Sequence, residues 1–226
     1  MIKHLIPYEK FIDAKHVTIV VDNDSVACGS VLYSFVLSLH KKVTLVQKEA
    51  IAPMYQFLPW YKELREHIPA SSDYVYEVSI KSMELYDFFK LHHIKINKKM
   101  ATALYGALLV EYEYFSSSKV DGTVFALASE LIGMGAEYKK VTHFLQNSHP
   151  LSLFRLKAKL LDSMILKENA TLAQLFVSDE DLRSSGAELE DCFVIMKEVL
   201  RVVHVQEALL IKTDENNKII TTIKDI

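Results

Sequence analysis

The stretch VTIVVDNDSVACGS, residues 17–30, decides the expected fold. Its first five residues form a continuous apolar run rich in β-branched side chains, which is typical of a strand covered on both faces. The run stops at DNDS, and apolar residues then recur at helical spacing from Val26 to Leu39. A second run, VTLV at 43–46, follows the basic residues that end the helix. Strand, helix and strand in one short span predict a βαβ unit with a parallel sheet.

Composition and charge restrict the classes of partner. The chain has 226 residues, half of them hydrophobic, and a formal net charge of −3. This charge gives no overall attraction to a polyanion, and the lysine pairs are isolated, so we expect no extended nucleic-acid track. No stretch approaches the ~18–20 apolar residues of a membrane span, and the start lacks the apolar core of a secretory signal. Cys28 and Cys192 have no second cysteine nearby, which predicts a reduced, cytoplasmic protein without membrane partners.

The rest of the chain predicts more helices and then a second small unit. A short strand is expected at 74–78, and amphipathic patterns predict helices at 83–93, 97–115 and 121–135. A connector helix is expected at 150–167. After it, TLAQLFV alternates like a strand, SDED has the spacing of a capping box, and an amphipathic helix follows. VQEALLIK and KIITTIK flank TDENN, which predicts a hairpin and an α+β tail.

These stretches, taken in order, resemble the DHH phosphoesterases, RecJ-like enzymes with a DHH domain and a smaller associated domain. VVDNDSVACGS occupies the place of the family's His-x-Asn-Pro-Asp-Gly-Asp-Ala-x-Gly-Ser motif. FLPW falls where the family has a Phe-Leu-Pro-Gly turn, and residues 84–115 resemble its helix pair before the last metal motif. The branch that is most similar degrades short oligoribonucleotides and adenosine bisphosphate.

The resemblance implies two manganese ions, which family members hold with histidine and aspartate side chains and use to activate water. On the family motif, Val20 stands at the first histidine and Val26 at the second aspartate. Asp24 matches a liganding position, Asp22 stands at the family's asparagine, and Glu111 replaces the aspartate of the last metal motif. The Asp-His-His motif and the Gly-Gly-Gly-His substrate loop have no counterpart in the chain. We therefore expect a residual metal site at these three acids, with manganese absent or weakly bound.

Each candidate residue also has a structural alternative. Asp22 and Asp24 lie between a strand and a helix, where aspartate commonly caps the helix N-terminus. Gly29 and Ser30 either let a phosphate of the substrate approach the helix or pack the helix against its strand. Glu111 lies on the apolar face of its helix, as a partly buried acid with a partner or as a cleft residue. The sequence leaves these alternatives open.

The predicted fold class is α/β. A trimmed DHH-like parallel-sheet domain at 1–148 is followed at 149–226 by a helical connector and a small, truncated α+β domain. For function we expect a DHH phosphoesterase-like protein that has lost catalysis, with or without retained binding of nucleotides, short oligonucleotides or phosphate. Two alternatives stay open: an active metal-dependent phosphodiesterase with a rearranged site, and a purely structural module that forms a homodimer.

Overall fold

Packing divides the chain into two units, Met1–Ser148 and His149–Ile226, and each is described by itself. The structure, a computed structural model, describes residues 6–147, 150–215 and 217–224. Among those residues, no helix combines the length and the apolar character that a membrane span requires. The α/β class expected from the sequence is confirmed, since a parallel four-stranded sheet lies in the first unit and a second sheet in the other.

The first unit is built on a sheet whose paired strands all run parallel. Its strands are β1 His16–Val21, β2 Lys42–Gln47, β3 Leu64–Arg65 and β4 Tyr74–Glu77. The order across the sheet is β3-β2-β1-β4. Three of these strands were expected from their apolar runs, whereas β3 was not, because a two-residue strand carries no periodicity to detect.

The helices of the first unit include those expected from the sequence and a short first helix that was not predicted. They are α1 Tyr8–Asp13, α2 Val26–Ser38, α3 Ser82–Leu91, α4 Lys98–Glu111, α5 Gly122–Gly133 and α6 Tyr138–Asn147. The Asn97 side chain caps α4 by accepting a hydrogen bond from the Met100 amide at 3.1 Å. The helix expected at 97–115 ends four residues early, which corrects that prediction. Residues 113–115 adopt positive φ angles and form a short 3-10 turn, where the Tyr114 hydroxyl donates to the Leu145 carbonyl oxygen.

Helix α2 lies very close to one face of the sheet. A Cβ atom added to Gly29 would lie 2.2 Å from Cγ1 of Val21 and 3.6 Å from Cγ2 of Ile19. A larger residue here would have to displace the Val21 side chain or move α2 away from the sheet, so glycine allows the close approach of the helix. The same face carries the main core, which contains β1, α2 and the inner residues of α3 to α6.

The connection between β3 and β4, residues 66–73, crosses the sheet without a helix. These strands form opposite edges, so the connection passes both β2 and β1. Nδ1 of His16 lies 3.0 Å from the carbonyl oxygen of Ser71, and Nε2 lies 2.9 Å from Oγ1 of Thr44. Because side chains alternate along a strand, His16 and Thr44 belong to the face opposite α2. The crossing segment is therefore anchored on that second face.

The described residues of the second unit form a mixed sheet and three α-helices. Its elements are α7 Leu151–Asp162, β5 Ile165–Lys167, β6 Leu172–Val177, α8 Asp179–Ser185, α9 Asp191–Val199, β7 Glu207–Lys212 and β8 Lys218–Lys224. The strand order is β5-β6-β7-β8, and only the central pair is parallel. The predicted hairpin is confirmed by antiparallel β7 and β8, and the capping box by reciprocal bonds between Ser178 and Asp181.

The prediction of a connector helix at 150–167 is partly wrong. Helix α7 ends at Asp162, and Ile165–Lys167 instead pairs antiparallel with β6. Leu153, Leu156 and Leu160 of α7 are buried against the same core as the inward side chains of β6. Pairing with β6 supplies backbone partners to residues that helical propensity alone would have left in α7, and this tertiary interaction is invisible in the local pattern.

Candidate functional site at the carboxyl edge of the parallel sheet

Three charged side chains converge where the parallel strands of the first unit end. The register pairs Val21 of β1 with Gln47 of β2, and Val20 with Glu77 of β4. The β1–β2 ladder continues one step, since the Lys48 amide donates to the Val21 carbonyl oxygen at 2.8 Å. This register brings Asp22, which follows β1, beside Lys48 and next to the end of β4. Carboxyl edges of open parallel sheets are where ligands usually bind in α/β proteins.

A shallow cleft of about 220 Å³ opens at this edge. It is lined by residues from three segments of the first unit. These are Asp22, Asp24 and Ser25 before α2, Lys48 after β2, and Glu77 at the end of β4 together with residues 78–81 before α3. The cleft thus contains both carboxylates of the predicted 17–30 motif, together with two lysines.

Asp22 closes the turn that leads into α2. Its Oδ1 accepts hydrogen bonds from the Ser25 amide at 3.0 Å and from the Ser25 hydroxyl at 2.6 Å. Ser25 Oγ in turn accepts the Asp22 amide proton at 3.0 Å, so that the two residues bond reciprocally. The hydrogen bond from the Ser25 hydroxyl is the main cause that lowers the pKa of Asp22. Ser25 precedes α2 and makes no side-chain cap bond to it, so these bonds close the turn before the helix, and a capping role for Asp22 stays a prediction.

Lys48 lies between the two acidic strand ends. Its ammonium is paired with the Glu77 carboxylate and lies 3.9 Å from Oδ2 of Asp22. The hydrogen bond to Glu77 is the main cause that raises the pKa of Lys48. The two oxygens of Asp22 therefore have different partners, since Oδ1 accepts from Ser25 and Oδ2 faces the ammonium.

Asn23 and Asp24 complete the turn before α2. The Asn23 side-chain amide donates to Glu49 at 2.8 Å, and its Oδ1 accepts from the Ala52 amide at 2.8 Å. Asn23 thus fixes the loop after β2. Asp24 is exposed. Burial, and to a lesser degree the charge of Asp24, raises the pKa of Tyr55 to about 12.

Glu111 is held at the N-terminus of another helix, next to the cleft. Its carboxylate accepts hydrogen bonds from the Ser82 amide at 2.9 and 3.0 Å and from the Ser82 hydroxyl at 2.5 Å. The Cys28 sulfur of α2 lies 4.0 Å from Oε1. Burial raises the pKa of Glu111, against the lowering effect of the bonds from Ser82. In this structure Glu111 is therefore a partly buried acid whose hydrogen-bond partner is Ser82.

Gly29 and Ser30 lie within α2 rather than at the cleft. Gly29 contacts β1, as described above, and Ser30 is 1% exposed. Among the described residues, Ser30 Oγ has no hydrogen-bond partner. Gly29 and Ser30 therefore pack α2 against the sheet in this structure, and their role in substrate binding stays a prediction.

The donors near the cleft do not fit the manganese pair that the resemblance implies. Divalent manganese prefers about six ligands, mostly oxygen or imidazole. The described residues contain no group of three or more His, Cys, Asp or Glu side chains placed to share an ion. Val20 and Val26, at two motif positions, are buried and have no donor atom. A residual metal role for Asp22, Asp24 and Glu111 stays a prediction.

Sequence reasoning missed Lys48 and Glu77. Each follows or ends an apolar strand run, in KVTLVQK and YVYE respectively. A charged residue directly at the carboxyl end of a predicted parallel strand is the signal that identifies both. The sequence pattern alone could not pair them, because the order of the strands in the sheet is not a local property.

The fold is shared with a solved phosphatase-related structure. An exopolyphosphatase-related protein from Bacteroides fragilis superposes with a TM-score of 0.75 at 14% identity, over 92% of this chain and 79% of that chain. A putative family II inorganic pyrophosphatase from Methanococcus jannaschii aligns over 87% of this chain and 83% of its own, at 13% identity and a TM-score of 0.43, too low to support an argument. No protein-family profile matches the chain, and no curated protein is significantly similar in sequence. The first likeness shows a shared fold and does not select an activity or a branch.

Proposed function

We propose that this protein is a catalytically degenerate relative of the manganese-dependent oligoribonucleases and adenosine bisphosphate phosphatases. One observation carries the proposal: two of the three acids at the motif positions already accept hydrogen bonds within the protein. Asp22 accepts from Ser25 through Oδ1, and Glu111 caps α3 through Ser82. A carboxylate engaged in this way has fewer free lone pairs for a metal ion.

The chemistry of the family explains why this matters. Two metal ions activate a water and hold both oxygens of the displacement, and each ion needs several donors from the protein. At this edge Lys48 adds positive charge beside Asp22 and Glu77, where an enzyme would seat a cation. These features support the loss of catalysis.

Retained affinity for nucleotides, short oligonucleotides or phosphate is the second part of the proposal. We expect such affinity to depend on Lys81, which lines the cleft near the start of α3, because Lys48 is paired with Glu77. Titration calorimetry with adenosine bisphosphate and a dinucleotide tests this, with K81M as the variant. Equal binding by both proteins would contradict the assignment of Lys81.

Hydrolysis assays test the loss of catalysis. The purified protein is incubated with excess manganese and a dinucleotide, adenosine bisphosphate or inorganic polyphosphate, beside an active family member. We expect product formation at the level of the buffer blank. Manganese-dependent hydrolysis by the wild-type protein that is lost in D22N or D24N would overturn the proposal and favour the active phosphodiesterase with a rearranged site.

One observation favours a second candidate, the structural module that forms a homodimer. Strand β4 is an outer strand of the first sheet, and Val75 on it is 44% exposed. Uncovered edges promote pairing with another strand. Sedimentation of the wild-type protein and V75K tests the idea. A wild-type dimer that V75K converts to a monomer would support it, and a wild-type monomer would contradict it.

A further inference from the structure

The position of Lys48 is set by the sheet rather than by a flexible loop. Its amide continues the β1–β2 ladder through the Val21 carbonyl oxygen, and the Val78 amide donates to the Val20 carbonyl oxygen at 3.0 Å on the other side of β1. Three neighbouring strand ends are therefore held in register. Side chains two residues apart along a strand lie on the same face of the sheet. Asp22 and Lys48 therefore lie on the same face as Val20 and Val46. Glu77 belongs to this face too, because it pairs with Val20.

The ammonium has the environment of a bound cation. It lies between two carboxylates that come from different strands, Asp22 and Glu77. The oxygen of Asp22 that faces it is Oδ2, whereas Oδ1 accepts the hydrogen bonds from Ser25. Both carboxylates are at least one-third exposed, so a hydrated ion has access to them. Asp24 adds a third negative charge to the same cleft.

We propose that the Lys48 ammonium takes the place of a divalent cation at this edge, and that removing it opens a weak divalent-cation site on Asp22 and Glu77. This inference rests on the proposed loss of catalysis, since it explains how the sheet edge keeps its acids without a metal. A lysine is a compact point charge on a flexible stem, which suits it to bridge two carboxylates. Its charge also repels any dication that approaches the same oxygens.

The experiment compares manganese binding by the wild-type protein, K48M and K48R. Free manganese is measured by electron paramagnetic resonance as the ion is titrated, so the readout is independent of activity. Removing a unit charge at ~4 Å from a dication in water should strengthen binding roughly 30-fold. We expect K48M to gain this affinity, K48R to behave like the wild type, and K48M/E77Q to lose the gain.

The matched control is K98M. Lys98 is paired with Glu137 at 2.8 Å in another part of the first unit, so K98M changes the net charge equally and leaves the cleft unchanged. Circular dichroism confirms folding of each variant, and exposed ion pairs contribute little to stability. Equal manganese affinity of K48M and K98M would overturn the inference. So would tight manganese binding by the wild type that D22N abolishes.

Failure of this inference and failure of the proposed function have different signatures. If K48M gains no affinity while the wild type hydrolyses none of the substrates, the inference fails and the loss of catalysis stands. If the wild type hydrolyses a substrate with manganese, the proposed function fails whatever K48M does.

Discussion

Ser82 gives both its amide and its hydroxyl proton to the Glu111 carboxylate, which joins the last residue of α4 to the first residue of α3. The contact spans two helices that are separated along the chain by residues 92–97. It satisfies a backbone donor that the start of a helix leaves without an intrahelical partner. Glu111, at the position of the last metal motif, thus links α4 to α3 and contributes to the stability of the first unit.

Removing the Glu111 side chain should destabilise the protein. E111A leaves the Ser82 amide without its acceptor, and an unsatisfied buried donor costs about 1–3 kcal/mol. E111Q keeps an acceptor oxygen and should cost less. Urea denaturation of both variants measures the difference. Equal free energies of unfolding for E111A and E111Q would show that the hydrogen bonds from Ser82 do not matter.

The raised pKa of Glu111 predicts a pH dependence of stability. Its folded pKa lies above the ordinary value of 4.5, so the folded state binds the proton more tightly than the unfolded state. The contribution of Glu111 is therefore fully present below pH ~4.5 and is lost as the pH rises through the folded pKa. The free energy of unfolding of the wild type minus that of E111Q should fall over this window. A difference that is flat or rises with pH would contradict the shift.

Asp22 should behave in the opposite sense. Its pKa is lowered from 3.8, so its stabilising contribution is present above the unfolded value and is lost as the pH falls through the folded pKa. At neutral pH, D22A should cost about 1 kcal/mol through loss of the hydrogen bonds from Ser25. D24A is the matched control at an exposed neighbour and should change stability by less than about 0.5 kcal/mol. Denaturation midpoints of the two variants, compared at pH 7 and pH 3, check both statements.

Gly29 should be intolerant of a methyl group. G29A places a Cβ against Val21 at 2.2 Å, and the forced shift of α2 should cost about 1–3 kcal/mol. V21A in the same chain should recover part of this loss, which a double-mutant cycle measures. G133A in α5 is the control, because its Cβ would meet nothing within 4 Å. Equal stability of G29A and G133A would contradict the close approach of α2 to β1.

The sequence predicted those parts of the fold that local periodicity encodes. β1, α2, β2 and the hairpin β7–β8 follow from apolar runs and turn residues, and the Ser178 capping box from its spacing. β3 and β5 were missed because they are short and exist through pairing with distant strands. Strand order was likewise out of reach, since it depends on contacts between segments far apart in the chain.

At the candidate site, the residue types were predicted better than their partners. Asp22 was identified as a residue of the turn before α2, and its bonds to Ser25 lie in that turn. The partner of Glu111 was not predicted, because Ser82 lies on a different helix. Lys48 and Glu77 were missed because only the register of the strands places them beside Asp22, and the register cannot be predicted from local sequence.

Segment 66–73 connects β3 and β4 without a helix, and the arrangement of the sheet does not depend on the length of this segment. Its residues are mostly exposed, and His16 fixes only its far end through Ser71. A longer insertion there would lengthen a surface excursion while β4 kept its pairing with β1, and loop closure grows only slowly more costly with length. This stretch is therefore the natural graft point for a helix, an affinity tag or a reporter peptide in the first unit.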